Sequence, residues 1–130
     1  MTFDEWMRKA TVPAVPFVAE GRDFDGWDCW GLVMSAYREV KDIAVPDYTY
    51  GIENLRQLAV LFKDRERKRW QRVETPEPMA VACIFRRGSV IHAGLVATKR
   101  RIIHVENGVE TCLQPISDFR VEGYYVPCVS

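Results

Sequence analysis

The sequence predicts an α+β domain in which N-terminal helices pack on a mostly antiparallel sheet. Two observations carry this. Apolar residues recur at three- and four-residue steps in the first half of the chain. After Pro76 and Pro78 the pattern changes to short runs rich in β-branched and aromatic residues. Helices first and strands afterwards is the order of an α+β fold rather than of alternating βαβ units. A third observation sets the number of domains: 130 residues without repeats or low-complexity linkers read as one domain, spanning 1–130.

The first element is a short helix in "TFDEWMRKA", where Thr2 can cap the start and Glu5 stands at the capping-box position. "TVPAVPFVAEGRDFDG" follows, and its prolines and glycines enforce an extended, turning path. From Cys29 to about Lys41 the pattern is helical, with Leu32, Val33, Ala36, Tyr37 and Val40 on one stripe, and Pro46 ends any continuation. "YGIENLRQLAVLFKDRERKRW" reads as a second long helix with a charged C-terminal end. Strands are expected in "MAVACIFRR", "VIHAGLVAT", "RIIHVEN" and "VEGYYVPCV".

Composition excludes several classes of function. Lys+Arg and Asp+Glu number 18 each, so nothing in the overall charge suggests binding to long nucleic acid. The basic run "KDRERKRWQR" is interrupted by acids and reads as a solvated face or a partner contact. No apolar run is long enough to span a bilayer, and "MTFDEWMRK" lacks the apolar stretch of a secretory signal, so cytoplasmic synthesis without a signal peptide is expected. The four cysteines, at 29, 83, 112 and 128, form no close pairs, which argues against both structural zinc and a disulfide framework; no metal is expected.

Cys29, in "GWDCWGLV", stands where a helix begins, just after Asp28, a candidate cap. A helix N-terminus lowers a thiol pKa, and its N–H groups can hold the negative oxygen that forms when a thiolate attacks a carbonyl. Cys83, Cys112 and Cys128 lack this setting and read as packing residues. A nucleophilic cysteine needs a base, and the chain has two histidines, His92 and His104, on consecutive predicted strands. Cys29 with His92 and His104 is therefore the candidate catalytic set. Trp27 and Trp30 flank the thiol, either as walls of a substrate groove or as core aromatics.

"GWDCWGLV", followed some sixty residues later by "HAGLV" and then "IIHV", resembles the NlpC-type peptidoglycan cysteine peptidases. The stretch "GRDFDGWDCWGLV" most resembles members found in tail proteins of phages and prophages. The resemblance runs from roughly Pro16 to Val105. It implies a pared-down papain-like fold with Cys29 as nucleophile, His92 as base and His104 as the polar third member. It implies a peptidase that cuts cell-wall stem peptides at the bond between D-glutamate and diaminopimelate, with no cofactor, in a virion tail acting on the bacterial wall alongside other tail proteins. Trp27, Asp28, Trp30 and Phe17 are the expected substrate-binding residues. Three positions depart from the family pattern: Trp30 replaces a common Ser, Phe17 a common Tyr, and "EPMAVACIF" lacks the usual Gly-Asp. A thiol acyltransferase or amidase, or a structural tail-tip domain with a vestigial site, are the alternatives.

Strand parity adds a geometric expectation. A two-residue loop at Lys99-Arg100 would put His92 and His104 on opposite faces of their hairpin, whereas an odd-length loop or a bulge puts them on one. Both imidazoles are expected on the face covered by the Cys29 helix.

Overall fold

The computed structural model describes residues 1–48, 69–86 and 88–128. Helix α1 (Phe3–Thr11) starts with the expected capping box: Thr2 Oγ1 accepts the Glu5 N–H, and Glu5 Oε1 accepts the Thr2 N–H, both at 3.1 Å. A small hairpin of β1 (Arg22–Asp23) and β2 (Gly26–Trp27) leads into α2 (Cys29–Ala36). The helix continues as a π-turn over Tyr37–Lys41 and stops at Asp42, which is left-handed with φ 55°. The helix expected over residues 50–70 lies outside the described residues apart from its end. There Trp70 begins a strand, so the basic run ends in extended chain rather than in a helix.

Six strands form one sheet: β3 (Trp70–Val73), β4 (Val81–Arg86), β5 (Ser89–Thr98), β6 (Arg101–Glu106), β7 (Val109–Pro115) and β8 (Val121–Pro127). Their order is β3-β8-β4-β5-β6-β7, and every pairing is antiparallel. A 3-10 turn over Ile116–Asp118 joins β7 to β8. Two of these strands, β3 and β7, were not expected. Strand β7 follows the Asn107-Gly108 pair, a strong hairpin signal, with Gly108 at φ 87°.

The sheet has two apolar faces. One carries Val81, Cys83, Ala93, Leu95, Ile103 and Val105, and α2 packs there against β5 and β6. The other carries Ala80, Ala82, Ile84, Val96 and Ile102, covered by Ile116 and Phe119 from the β7–β8 connection. Among the described residues no helix is long and apolar enough to cross a membrane.

The β5–β6 hairpin decides where the histidines point. Its loop is the two-residue Lys99-Arg100 turn, closed by Thr98↔Arg101. The register then shifts, so that Val96 faces Ile102 and Leu95 faces Ile103, leaving Ala97 as the extra residue of a bulge. An even loop alone would have separated the histidines; the bulge restores one shared face.

Candidate active site

Asp28 anchors the start of α2. Its Oδ1 accepts the Gly31 N–H and an Arg22 N–H, each at 2.8 Å, and its Oδ2 accepts the Glu20 N–H at 3.2 Å. Arg22 also donates to both carboxylate oxygens of Asp47. One side chain thus caps the helix and ties it to the preceding loop. The loop must approach closely, because a Cβ on Gly31 would lie 2.1 Å from the Gly21 carbonyl oxygen.

Cys29, the first residue of α2, is buried, with 6% of its surface exposed. Its sulfur accepts the backbone N–H groups of Ala93 and Trp30. The Ala93 bond follows from the sheet. Val96 N–H donates to Ala80 at 2.8 Å, so by antiparallel alternation residues 92, 94 and 96 bond toward β4 while Ala93 faces β6. The β5–β6 pairs end at Leu95↔Ile103, and the thiol reaches into the opening beyond them.

The histidines meet at that opening. His92 Nε2 lies 3.1 Å from His104 Nδ1, and both rings are almost fully buried. His104 Nε2 lies 2.7 Å from Gln114 Oε1 and 3.7 Å from Cys112 Sγ. The His104 ring stands edge-on to Phe119, at 4.9 Å between centroids. Gly94 makes the approach possible: a Cβ there would sit 2.6 Å from Ile102 Cγ2 and 3.3 Å from His104 Cβ.

The shared face is not the expected one. Ala93, Ile103 and Val105 point toward α2, so the alternating His92 and His104 point away, onto the face of Ile84, Ile102 and Phe119. The body of α2 therefore does not cover the imidazoles. Its first residue instead meets β5 at Ala93, next to His92, and no hydrogen bond joins Cys29 to His92 among the described residues.

Electrostatics also departs from expectation. Burial pushes the Cys29 thiol up to about 12, against the lowering effect of the two N–H groups. Burial likewise holds His92 down to about 4, and His104 below its ordinary value. Desolvation outweighs the helix N-terminus here, so the pair rests as neutral thiol and neutral imidazole rather than as an ion pair. Glu106 is opposed by burial, but the Arg86 guanidinium and the histidines outweigh that and hold its carboxyl below the usual value.

Among the described residues, donor atoms of His92, His104 and Glu106 lie within 4.8 Å of one another, a grouping that could hold a cation. Arg86 already engages both Glu106 oxygens, and the two facing imidazole nitrogens share a hydrogen bond. The arrangement is that of a proton-ordering chain.

The aromatic substrate groove expected at Trp27 and Trp30 is absent, because both indoles are fully buried. Trp27 stacks on Trp6 and donates to Thr111 Oγ1 at 2.9 Å, while Trp30 packs on Tyr48 and Trp70 and donates to the Pro46 carbonyl at 2.7 Å. They wall the core behind the thiol. Asp28 is a cap whose two carboxylate oxygens are both engaged by the helix start and the preceding loop, and Phe17 is half-buried against the same core. Of the cysteines read as packing residues, Cys83 is buried, but Cys112 is half-buried beside His104 and Cys128 is exposed. Gln114 and Cys112 were missed by sequence reasoning because β7 was.

These thiol environments set an order of reactivity. Alkylation requires access to the sulfur, so exposed Cys128 is expected to react with iodoacetamide first, and buried Cys29, its thiol pushed up by burial, slowly, reversing the order expected from its place in the sequence. Raising the pH toward 12 increases the Cys29 thiolate fraction and should accelerate its labelling. Peptide mapping over a pH series checks this; Cys29 labelled ahead of Cys128 at pH 7 would contradict the buried, neutral thiol.

Comparison with known proteins gives the family and the fold. The sequence profile of the NlpC/P60 family matches residues 14–124. The chain belongs to the NlpC/P60 family. Among solved structures, it is similar to the NlpC/p60 domain of the peptidoglycan hydrolase SagA, with a TM-score of 0.66 at 14% identity, covering 97% of this chain and 99% of that one. It is also similar to NlpC1 from Trichomonas vaginalis, with a TM-score of 0.63 at 17% identity, covering 94% of this chain and 45% of that one. The papain-like α+β fold is thereby shared. No curated protein sequence matches the chain.

Proposed function

We propose that this NlpC/P60 domain is a cysteine endopeptidase acting on peptidoglycan stem peptides, with Cys29 as nucleophile, His92 as general base and His104 as the group that orients it. The observation that carries the reading is the 3.1 Å His92–His104 pair beside the strand position whose N–H the Cys29 thiol accepts. Because thiol and imidazole rest neutral, His92 takes the thiol proton as sulfur attacks the carbonyl carbon, rather than from a preformed ion pair. The Cys29 N–H, at the start of α2, is the donor for the oxyanion, and Trp30 and Ala93 N–H groups are released as the sulfur moves. His92 then protonates the leaving amine, and water hydrolyses the thioester.

The D-glutamyl–diaminopimelate bond is the proposed cleavage point, and a phage or prophage tail acting on the cell wall is the proposed setting. The bond rests on the likeness of "GWDCWGLV", "HAGLV" and "IIHV" to the NlpC-type peptidases, and the setting on the likeness of "GRDFDGWDCWGLV" to tail-associated members. Burial of Cys29 gives one competing reading its support: a tail-tip domain whose site is closed. Incubating the protein with defined muropeptides and identifying products by mass spectrometry separates the readings. Cleavage between D-glutamate and diaminopimelate supports the peptidase, transfer of the acyl group to an added amine supports an acyltransferase, and no product favours the closed structural domain.

A further inference from the structure

We propose that Gln114, held by Asp118, is a positioning residue that fixes the tautomers of both histidines so that His92 presents a bare Nδ1 as the base. This rests on the peptidase reading for its consequence but not for its geometry. The proton order starts at Asp118, whose carboxylate can only accept. Gln114 Nε2 lies 3.2 Å from Asp118 Oδ2, so the amide NH2 group faces Asp118 and Oε1 faces His104. An amide oxygen carries no hydrogen, and Oε1 lies 2.7 Å from His104 Nε2, so that nitrogen carries the proton. The half-buried Cys112 sulfur, 3.7 Å from the same nitrogen, is a second acceptor for it. In the neutral ring His104 Nδ1 is then an acceptor, and its neighbour at 3.1 Å, His92 Nε2, must be the donor. The proton of neutral His92 is thereby held on Nε2, and Nδ1 keeps its lone pair.

Three hydrogen bonds, running from an exposed carboxylate into an almost fully buried ring, set the orientation of each proton. The elements are suited to the task. Gln114 faces Ile102 across the β6–β7 ladder and so is the diagonal neighbour of His104 on the same face, and Asp118 closes the 3-10 turn that follows β7. Among the described residues, the only other hydrogen-bond partner of His104 Nε2 is the weak sulfur acceptor of Cys112. The alternative tautomer would turn His92 Nε2 into the acceptor and place the proton on Nδ1, where it blocks the base.

The test is nitrogen–proton correlation NMR on protein carrying isotopically labelled histidine, which reads each ring nitrogen without substrate. In the wild type both rings are expected to be protonated on Nε2 and bare on Nδ1. Gln114→Leu should mix the tautomers and lower kcat on a muropeptide by roughly a hundredfold with little change in KM. Wild-type His92 protonated on Nδ1, or a folded Gln114→Leu variant with unmixed tautomers, overturns the proposal. Should Gln114→Leu fail to fold, the wild-type spectrum and the exposed-site variant Asp118→Ala decide it: Asp118→Ala is expected to let the amide turn and mix the tautomers, and unchanged tautomers there count against the relay. A wild type with the expected tautomers that cleaves no muropeptide leaves this assignment standing and removes the peptidase reading.

Discussion

Replacing Cys29 by serine is expected to abolish muropeptide hydrolysis, a loss of about a thousandfold or more, while leaving the protein folded. The size follows from the nucleophile and the base. A hydroxyl is both less acidic and a weaker nucleophile than a thiol in the same place, and burial further lowers the basicity of the His92 imidazole that must take the proton. Serine is the right probe because Cys29 is itself part of the α2-side core. Alanine there would leave a void and two unsatisfied N–H groups, from Ala93 and Trp30, whereas the serine oxygen accepts both. The stability change with serine should stay within about 1 kcal/mol. Product analysis and thermal unfolding on the same preparation check the two halves, and a fully active, folded Cys29→Ser protein would remove Cys29 as nucleophile.

Local features of the fold were legible in the sequence, and long-range consequences were not. The Thr2–Glu5 capping box, the α2 start at Cys29 and strands β4, β5, β6 and β8 depend on neighbours within a few residues, and those patterns are written in the chain. Strand β3 was hidden because its residues continue a charged run that also suits a helix end. Strand β7, "VETCLQP", alternates too weakly in hydrophobicity to stand out, although Asn107-Gly108 marks its hairpin. The histidine pair was foreseeable only as a condition on parity. The condition was met by a bulge at Ala97 that no residue type announces. The chosen face was misjudged because alternation fixes that two side chains agree, and only packing fixes which layer they meet. Placing Trp27 and Trp30 in a groove failed for a related reason: an indole beside a nucleophile and an indole behind it have the same sequence signature.

Gly31→Ala sets two rules against each other, and magnitude decides. Helix propensity favours alanine over glycine within a helix by about 1 kcal/mol, so propensity alone predicts a more stable protein. At this position the added Cβ would lie 2.1 Å from the Gly21 carbonyl oxygen and 2.9 Å from Trp27 Cβ. Neither atom is the end of a flexible side chain; one is backbone and the other belongs to a fully buried indole. Relief requires the Gly21–Arg22 loop to move away from α2. That movement breaks the Arg22–Asp28 contact and loosens the cap that Asp28 places on the Gly31 N–H. Overpacking against immobile atoms outweighs propensity, with an expected loss of roughly 3 kcal/mol or more and a fall in Tm of roughly 10 °C. Gly123→Ala is the milder comparison: its Cβ would meet the Arg72 guanidinium at 3.0 Å and the ring edge of buried Tyr125 at 3.2 Å, contacts that a shift of a few tenths of an ångström relieves, so its loss should be clearly smaller than that of Gly31→Ala. Because Asp28 and Cys29 are adjacent, hydrolysis by Gly31→Ala should fall even below its own melting temperature. Thermal and urea unfolding of the two variants measure the difference, and a Gly31→Ala protein as stable as the wild type would show that the loop is not locked against the helix.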